Sequence, residues 1–312
     1  MSFKDFSNLV RLPLGIMASM SGLASAFVVI LLQNPDLNLF TAIWDYLGQI
    51  IVGLPIPFLI VCGAMAINDY YDYEADLQNN RKDRPLTSGK FTKQFALNIS
   101  IIMMVVGAVL TFILKFFWSY RVQDYIFPAV LLFIGIAVSY STWLKKYGFL
   151  GNIAVSLSYP AAMLLAMGVV GATDNNAIIS ISSFVTMIFF SALGREVLKG
   201  VMDIEGDEAQ GVKTIAVRYG AKNAAYLCTI LFILAVPFSP IPLFYTFSTN
   251  IISSIIYAVF IALALILLIL SGANLIKDPS KEVGVKGRKQ TKLSFWFIVL
   301  GFFVATLILG IK

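Results

Sequence analysis

Four oxygen-bearing side chains, Asn68, Asp69, Asp72 and Asp76, follow directly on a long apolar run. If a helix continues through them, Asn68, Asp72 and Asp76 recur at i, i+4 and i+8. Asp69 lies three residues before Asp72, so all four share one face. Like charges stacked this way are destabilising unless a cation sits among them. Hard oxygen donors of this kind suit Mg2+, which keeps several waters and is commonly shared with substrate phosphates. A second group stands in "GREVLKGVMDIEGDEAQGVKTIAVRYG", where Arg195, Lys199, Asp203 and Asp207 recur every fourth residue. Two cations followed by two carboxylates along one stripe would grip a diphosphate, the cations directly and the aspartates through metal. Gly200 and Gly206 weaken that helix and point to unwinding or close ligand approach.

Each group also has a plainer reading. Acidic residues beyond a helix end serve as solvated loop charge, and Arg195 and Lys199 can snorkel to the interface. Two similar groups on the same side of a membrane disfavour coincidence. Charge near membrane depth is costly and usually marks function. The combined expectation is a metal–diphosphate site at the mouth of a helical bundle.

The elements that must hold these residues are membrane helices. Of 312 residues, 59% are hydrophobic and 13% charged, against about 25% charged in soluble domains. Nine apolar runs are long enough to span: 12–33, 46–68, 94–117, 124–143, 150–171, 177–199, 223–246, 251–276 and 293–311. Backbone in lipid must satisfy its own hydrogen bonds, so these runs are helices. They use most of the chain, which is expected to be one integral-membrane domain over 1–312, all-α, with nine helices around a central cavity. The first run is expected to be a span rather than a cleaved leader, since it exceeds a typical leader core and other spans follow.

With these spans, twenty of the 23 basic residues fall on one side, leaving Lys115, Arg121 and Lys312 on the other. The positive-inside rule then puts the amino terminus and both acidic groups on the cytoplasmic side and the carboxyl terminus outside. The basic excess implies lipid headgroups rather than nucleic acid. "KDPSKEVGVKGRKQTK" (Lys277 to Lys292) is expected to be a solvated, lipid-facing loop. Cys62 and Cys228 lie inside apolar runs as small buried hydrophobes. The absence of histidine excludes His-ligated haem or metal sites and any imidazole base.

These residues resemble the UbiA-type intramembrane prenyltransferases. That superfamily carries N-D-x-x-D-x-x-x-D after its second helix, here Asn68, Asp69, Asp72 and Asp76, and D-x-x-x-D after its sixth, here Asp203 and Asp207. "RPLTSG" (Arg84 to Gly89) is similar to the R-P-x-x-S-G that follows the first motif. "REVLKGVMDIEGDEAQGVKTIAVRYG" and "YSTWLKKYGFLGNIAVSLSYP" most resemble the archaeal digeranylgeranylglyceryl phosphate synthases. One departure is in the first helix, where many members have Arg followed four residues on by Asn, and this chain has Arg11 and Gly15.

The resemblance implies a mechanism. Mg2+ held by Asn68, Asp72, Asp76, Asp203 and Asp207 would bridge the diphosphate of a polyprenyl donor, with Asp69 ligating directly or orienting waters. Arg11, Arg84, Lys145, Lys146, Arg195 and above all Lys199 would stabilise the departing diphosphate. Tyr70, Tyr71 or, preferably, Tyr140 would shelter the allylic cation; Tyr70 and Tyr71 also read as interfacial belt residues. The implied acceptor is the hydroxyl of geranylgeranylglyceryl phosphate, and an apolar slot open to lipid would hold the isoprenoid tails. An aromatic acceptor, as in quinone biosynthesis, and a transporter with an acidic ion site are the alternatives. Transporters place such groups near the midplane in broken helices, unlike clusters at span ends.

Overall fold

The computed structural model describes residues 2–78, 81, 84–209 and 211–311, and every regular element among them is helical. Lys82 and Lys312, counted in the charge asymmetry, lie outside the described residues.

The chain opens with a short helix, α1 (Phe3–Val10), closed at its start by a Ser2–Asp5 capping box. Arg11 then turns it, at φ 49° and ψ 52°, into α2 (Leu12–Gln33). α2 is apolar on all sides and buried along its second half, as befits a central helix. Two short helices, α3 (Leu39–Asp45) and α4 (Leu47–Gly53), lead into α5 (Pro55–Gln78). α6 (Lys93–Phe117) and α7 (Ile126–Thr142) follow. The next run is broken at Pro160 into α8 (Phe149–Ser158) and α9 (Ala161–Val169). α10 (Asn175–Met202) is followed by short α11 (Ile204–Ala209) and α12 (Ile215–Tyr219), and then by α13 (Ala221–Ala235) and α14 (Ile241–Tyr245). α15 (Ile251–Lys277) and α16 (Lys281–Leu309) form a long closing pair.

Among the described residues, eight helical stretches are long and apolar enough to cross a bilayer. The run expected at 124–143 is α7, which at 17 residues is shorter than those eight. The helices pack through small residues, as membrane helices do. A β-carbon on Gly22 would stand 3.1 Å from the Ala162 carbonyl oxygen, and one on Gly301 2.4 Å from Phe260 Cβ. Phe184 stacks on Phe302 at 4.2 Å within a buried cluster that includes Phe247 and Tyr257. Side chains such as Ile102, Val105 and Phe112 on α6 face outward, as lipid contact requires.

Two expectations are corrected. Residues 281–292 are not a loop but the first turns of α16, capped by the Ser280 hydroxyl, which accepts from the Val283 amide. Lysine and arginine are good helix formers, so a polar helical extension escapes a hydropathy reading. The stripe from Arg195 to Asp207 is not continuous either. α10 ends at Met202, Asp203 caps it at φ −111° and ψ 17°, and Asp207 belongs to α11.

Candidate active site

α5 carries the first motif without interruption to Gln78. The Asn68 amide donates to Asp72 Oδ2 at 2.7 Å, which confirms that i and i+4 share a face. Asp72 is also ion-paired with Lys145, from the short turn Leu144–Tyr147 between α7 and α8. Asp69, one position round the helix, is only 2% exposed. Its Oδ1 accepts from Arg11 Nη2 at 2.9 Å and Arg84 Nη1 at 3.0 Å, while its Oδ2 is buried without a partner. Arg84 Nε stands 3.6 Å from Asp76 Oδ2. Burial pushes the Asp76 carboxyl above its ordinary value.

Arg84 is held by its loop. Leu86 and Phe91 bury against Leu9 of α1 and Ala96 of α6, and Lys90 ion-pairs with Asp5. Gly89, at φ 71°, allows the turn in which the Lys90 amide donates to the Pro85 carbonyl. The "RPLTSG" stretch is thus a clamp that presents one guanidinium to two aspartates.

The second motif hangs from the end of α10. Lys199 ion-pairs with Glu196, a carboxylate only 3% exposed, and Arg195 Nη1 donates to the Tyr159 hydroxyl at 2.9 Å and lies 3.6 Å from Glu196. The Tyr159 hydroxyl in turn donates to Glu196 at 3.4 Å. Asp203 is exposed and Asp207 half-buried. Burial and the Asp203 charge push the Asp207 carboxyl up to about 6, against a hydrogen bond from Thr214.

Both motifs open at one end of the bundle. Arg288 of α16 interacts electrostatically with Arg195 and Asp203 of the second group and with Arg81 and Arg84 beside the first. Tyr140 interacts with Asp72 on one side and Glu196 on the other. The structure separates other expected partners. Lys145 reaches Asp72, whereas Lys146 is exposed and lines an outer groove. Tyr70 faces Lys93, whose ammonium lies 5.3 Å from its ring, and Tyr71 is exposed, so the interfacial reading describes them better.

Among the described residues no three carboxylates stand close enough to form a ready-made cation cage. The donor chemistry nonetheless fits a hard divalent ion. Asp203 and Asp207 repel each other without an ion-pair partner within 4.0 Å among the described residues, and Asp69 Oδ2 is an orphaned buried acceptor. A hard ion held by carboxylates of either tip would complete its coordination with water and phosphate.

Glu196, Tyr159 and Arg288 were not singled out by the sequence reading. For Glu196 the signal was present, a carboxylate inside an apolar span one residue from Arg195 and three from Lys199. Gly15 also acquires a reason. A β-carbon there would lie 2.6 Å from Cys62 Sγ and 2.8 Å from a Phe58 ring carbon, so α2 approaches α5 too closely for asparagine.

Residues 22–287 match the UbiA prenyltransferase family. A digeranylgeranylglyceryl phosphate synthase of Korarchaeum cryptofilum is 33% identical over 262 residues, covering 84% of this chain and 86% of that protein. The one of Archaeoglobus fulgidus is 29% identical over 302 residues, covering 96% and 94%. A solved structure of digeranylgeranylglyceryl phosphate synthase in membranes aligns with a TM-score of 0.69 at 26% identity, over 98% of each chain. A UbiA homolog from Archaeoglobus fulgidus bound to GPP and Mg2+ aligns at 0.63 and 19% identity, over 96% of this chain and 99% of that one, a likeness of fold. With its helices, its two aspartate motifs and this match over most of its length, the chain belongs to the UbiA prenyltransferase family.

Proposed function

We propose that this chain transfers a geranylgeranyl group from its diphosphate to the hydroxyl of geranylgeranylglyceryl phosphate, forming the second ether of an archaeal membrane lipid. The reading rests on two carboxylate groups that each carry cations, Arg84 and Lys145 paired with the first motif and Lys199 with Glu196 one turn before the second, and on Arg288, which feels charges of both groups. The relatives named as digeranylgeranylglyceryl phosphate synthases support the acceptor, and the homolog bound to GPP and Mg2+ supports the donor and the ion.

In this reading Asn68, Asp72, Asp76, Asp203 and Asp207 hold Mg2+, which when bound neutralises the diphosphate and favours its departure. Lys199 and Arg195 face the leaving oxygens, and Glu196 keeps both cations in place. Arg84 is fixed by Asp69 and Asp76 and turns toward the same charge. Breaking the allylic carbon–oxygen bond leaves a cation, which the Tyr140 ring stabilises between the two motifs. The acceptor hydroxyl oxygen then forms the new carbon–oxygen bond to the allylic cation, and its O–H proton is given up to the departed diphosphate. The site opens on the cytoplasmic side, with the amino terminus inside and the carboxyl terminus outside; the charge asymmetry supports this orientation. The chain acts as one domain over 1–312.

Mass spectrometry of the product from geranylgeranyl diphosphate, offered geranylgeranylglyceryl phosphate and hydroxybenzoate-type acceptors, tests the assignment. A diether phosphate is expected. A prenylated ring with no diether would overturn the acceptor, and no diphosphate release with any acceptor would overturn the enzyme.

A further inference from the structure

Two loops that serve the site turn their next residues the opposite way. Lys145 pairs inward with Asp72, while Lys146 is exposed on the outer flank. Thr214, buried, neighbours Asp207, while Lys213 beside it faces the same flank. Between them lies a groove of about 640 Å3 to which Lys146, Lys213 and Arg218 contribute three cations, and among the described residues no carboxylate lines it. None of the three has an ion-pair partner within 4.0 Å among those residues. Trp143, Tyr147 and Tyr219 form its rim at 51%, 61% and 60% exposure. They stand just beyond α7 and at the end of α12, where belt aromatics meet headgroups.

The groove is built on touching backbones. Gly148 sits at φ 57°, and a β-carbon there would lie 2.0 Å from the Lys213 carbonyl oxygen. Lys146 and Lys213 are therefore tied together through the meeting of their loops. Three uncompensated cations repel one another, and an anion among them relieves that repulsion. Arginine and lysine are the residues that seat phosphate oxygens. A free phosphate would gain nothing from the exposed rings, whereas a glycerolipid would lay its glycerol and first methylenes against them.

We propose that this groove binds the phosphate headgroup of an anionic phosphoglycerolipid from the leaflet on the side of the aspartate motifs. Occupancy fixes Lys146 and Lys213, and through the adjoining residues steadies the Lys145–Asp72 and Thr214–Asp207 contacts. The site is separate from the reaction assigned above and does not depend on it.

The full chain carrying Trp44→Phe, Trp118→Phe and Trp296→Phe, so that Trp143 is the sole tryptophan, in vesicles containing dibrominated phosphatidylglycerol, compared with the same fraction of dibrominated phosphatidylcholine, tests the site by quenching of Trp143 fluorescence. The anionic lipid should quench more. Lys146→Gln/Lys213→Gln/Arg218→Gln should lose that excess, its apparent affinity falling roughly a hundredfold. Lys281→Gln/Lys289→Gln, which removes as exposed a pair elsewhere, should keep it, and Lys146→Gln alone should lose part. Equal quenching by both lipids, or an unchanged triple variant, would overturn the proposal. Displacement of the brominated lipid by millimolar inorganic phosphate, or by stoichiometric prenylglyceryl phosphate, would also overturn it, reassigning the groove to a soluble anion or to the acceptor.

Discussion

At the scale of single residues, the first motif and the cations of α10 are already partnered, by Arg11, Arg84 and Lys145 on one side and by Glu196 on the other, whereas Asp203 and Asp207 are not ion-paired among the described residues. Asp72 and Asp203 are assigned to the two metal-holding motifs, so Asp72→Ala or Asp203→Ala should reduce turnover at least about a hundredfold while leaving the thermal midpoint in detergent near that of the parent. Wild-type-like rates in both would remove the metal assignment. Glu196 is different, since it compensates buried cations. Glu196→Ala should cost about 3 kcal/mol of stability as well as activity, read by thermal unfolding, and Glu196→Gln should recover part of both. Asp207 supplies a pH dependence. Its pKa of about 6 without metal lies above the unfolded carboxylate value. The stability held in its neutral form is therefore full below that lower value and is lost as pH rises through about 6. Metal-free protein should melt at a higher temperature at pH 5 than at pH 7.5. Mg2+ should narrow that gap, and Asp207→Asn should abolish it.

At the scale of elements, the apolar runs were legible because lipid demands about twenty apolar residues in a row, and Leu12–Gln33 coincides with its expected run. What escaped was helix made of polar residues. α5 continues through Asn68 to Gln78 and α16 begins at Lys281, both in stretches where hydropathy has already fallen. The weakening expected from Gly200 and Gly206 is realised as the break at Asp203, though the four-residue spacing of the charges had suggested one continuous stripe. The aspartates could be read by type and spacing, whereas Glu196 and Tyr159 acquire meaning only once α8 lies beside α10. Close packing governs the first helix. Gly15→Asn should force α2 from α5 and cost about 1–3 kcal/mol, with a weakened Arg11–Asp69 pair; an unchanged melting curve would refute the contact. Gln49, 1% exposed with an unpartnered amide nitrogen, should instead be stabilised by leucine, raising the melting temperature.

At the scale of the whole molecule, the interior cavity beside Gln49 is about 40 Å3, lined by Ser19, Gly22, Ile126 and Ala162 among others. That is room for about one water, so an isoprenoid tail does not fit in this cavity unless its helices part. The same economy holds at the mouth, where among the described residues no cage of three carboxylates exists. Calorimetric titration should therefore show Mg2+ binding weakly alone and at least about tenfold more tightly with pyrophosphate. Equal affinity with and without pyrophosphate would mean that a complete site preexists.

The two motifs are also attached differently. The first rides on an unbroken helix that continues a membrane span, whereas the second lies at and beyond the helix end at Asp203. One jaw is thus stationary and the other adjustable, which divides labour between holding register and admitting or releasing the pyrophosphate. Amide exchange should be faster along 203–214 than along 66–76, and a bound substrate analogue should slow the former far more.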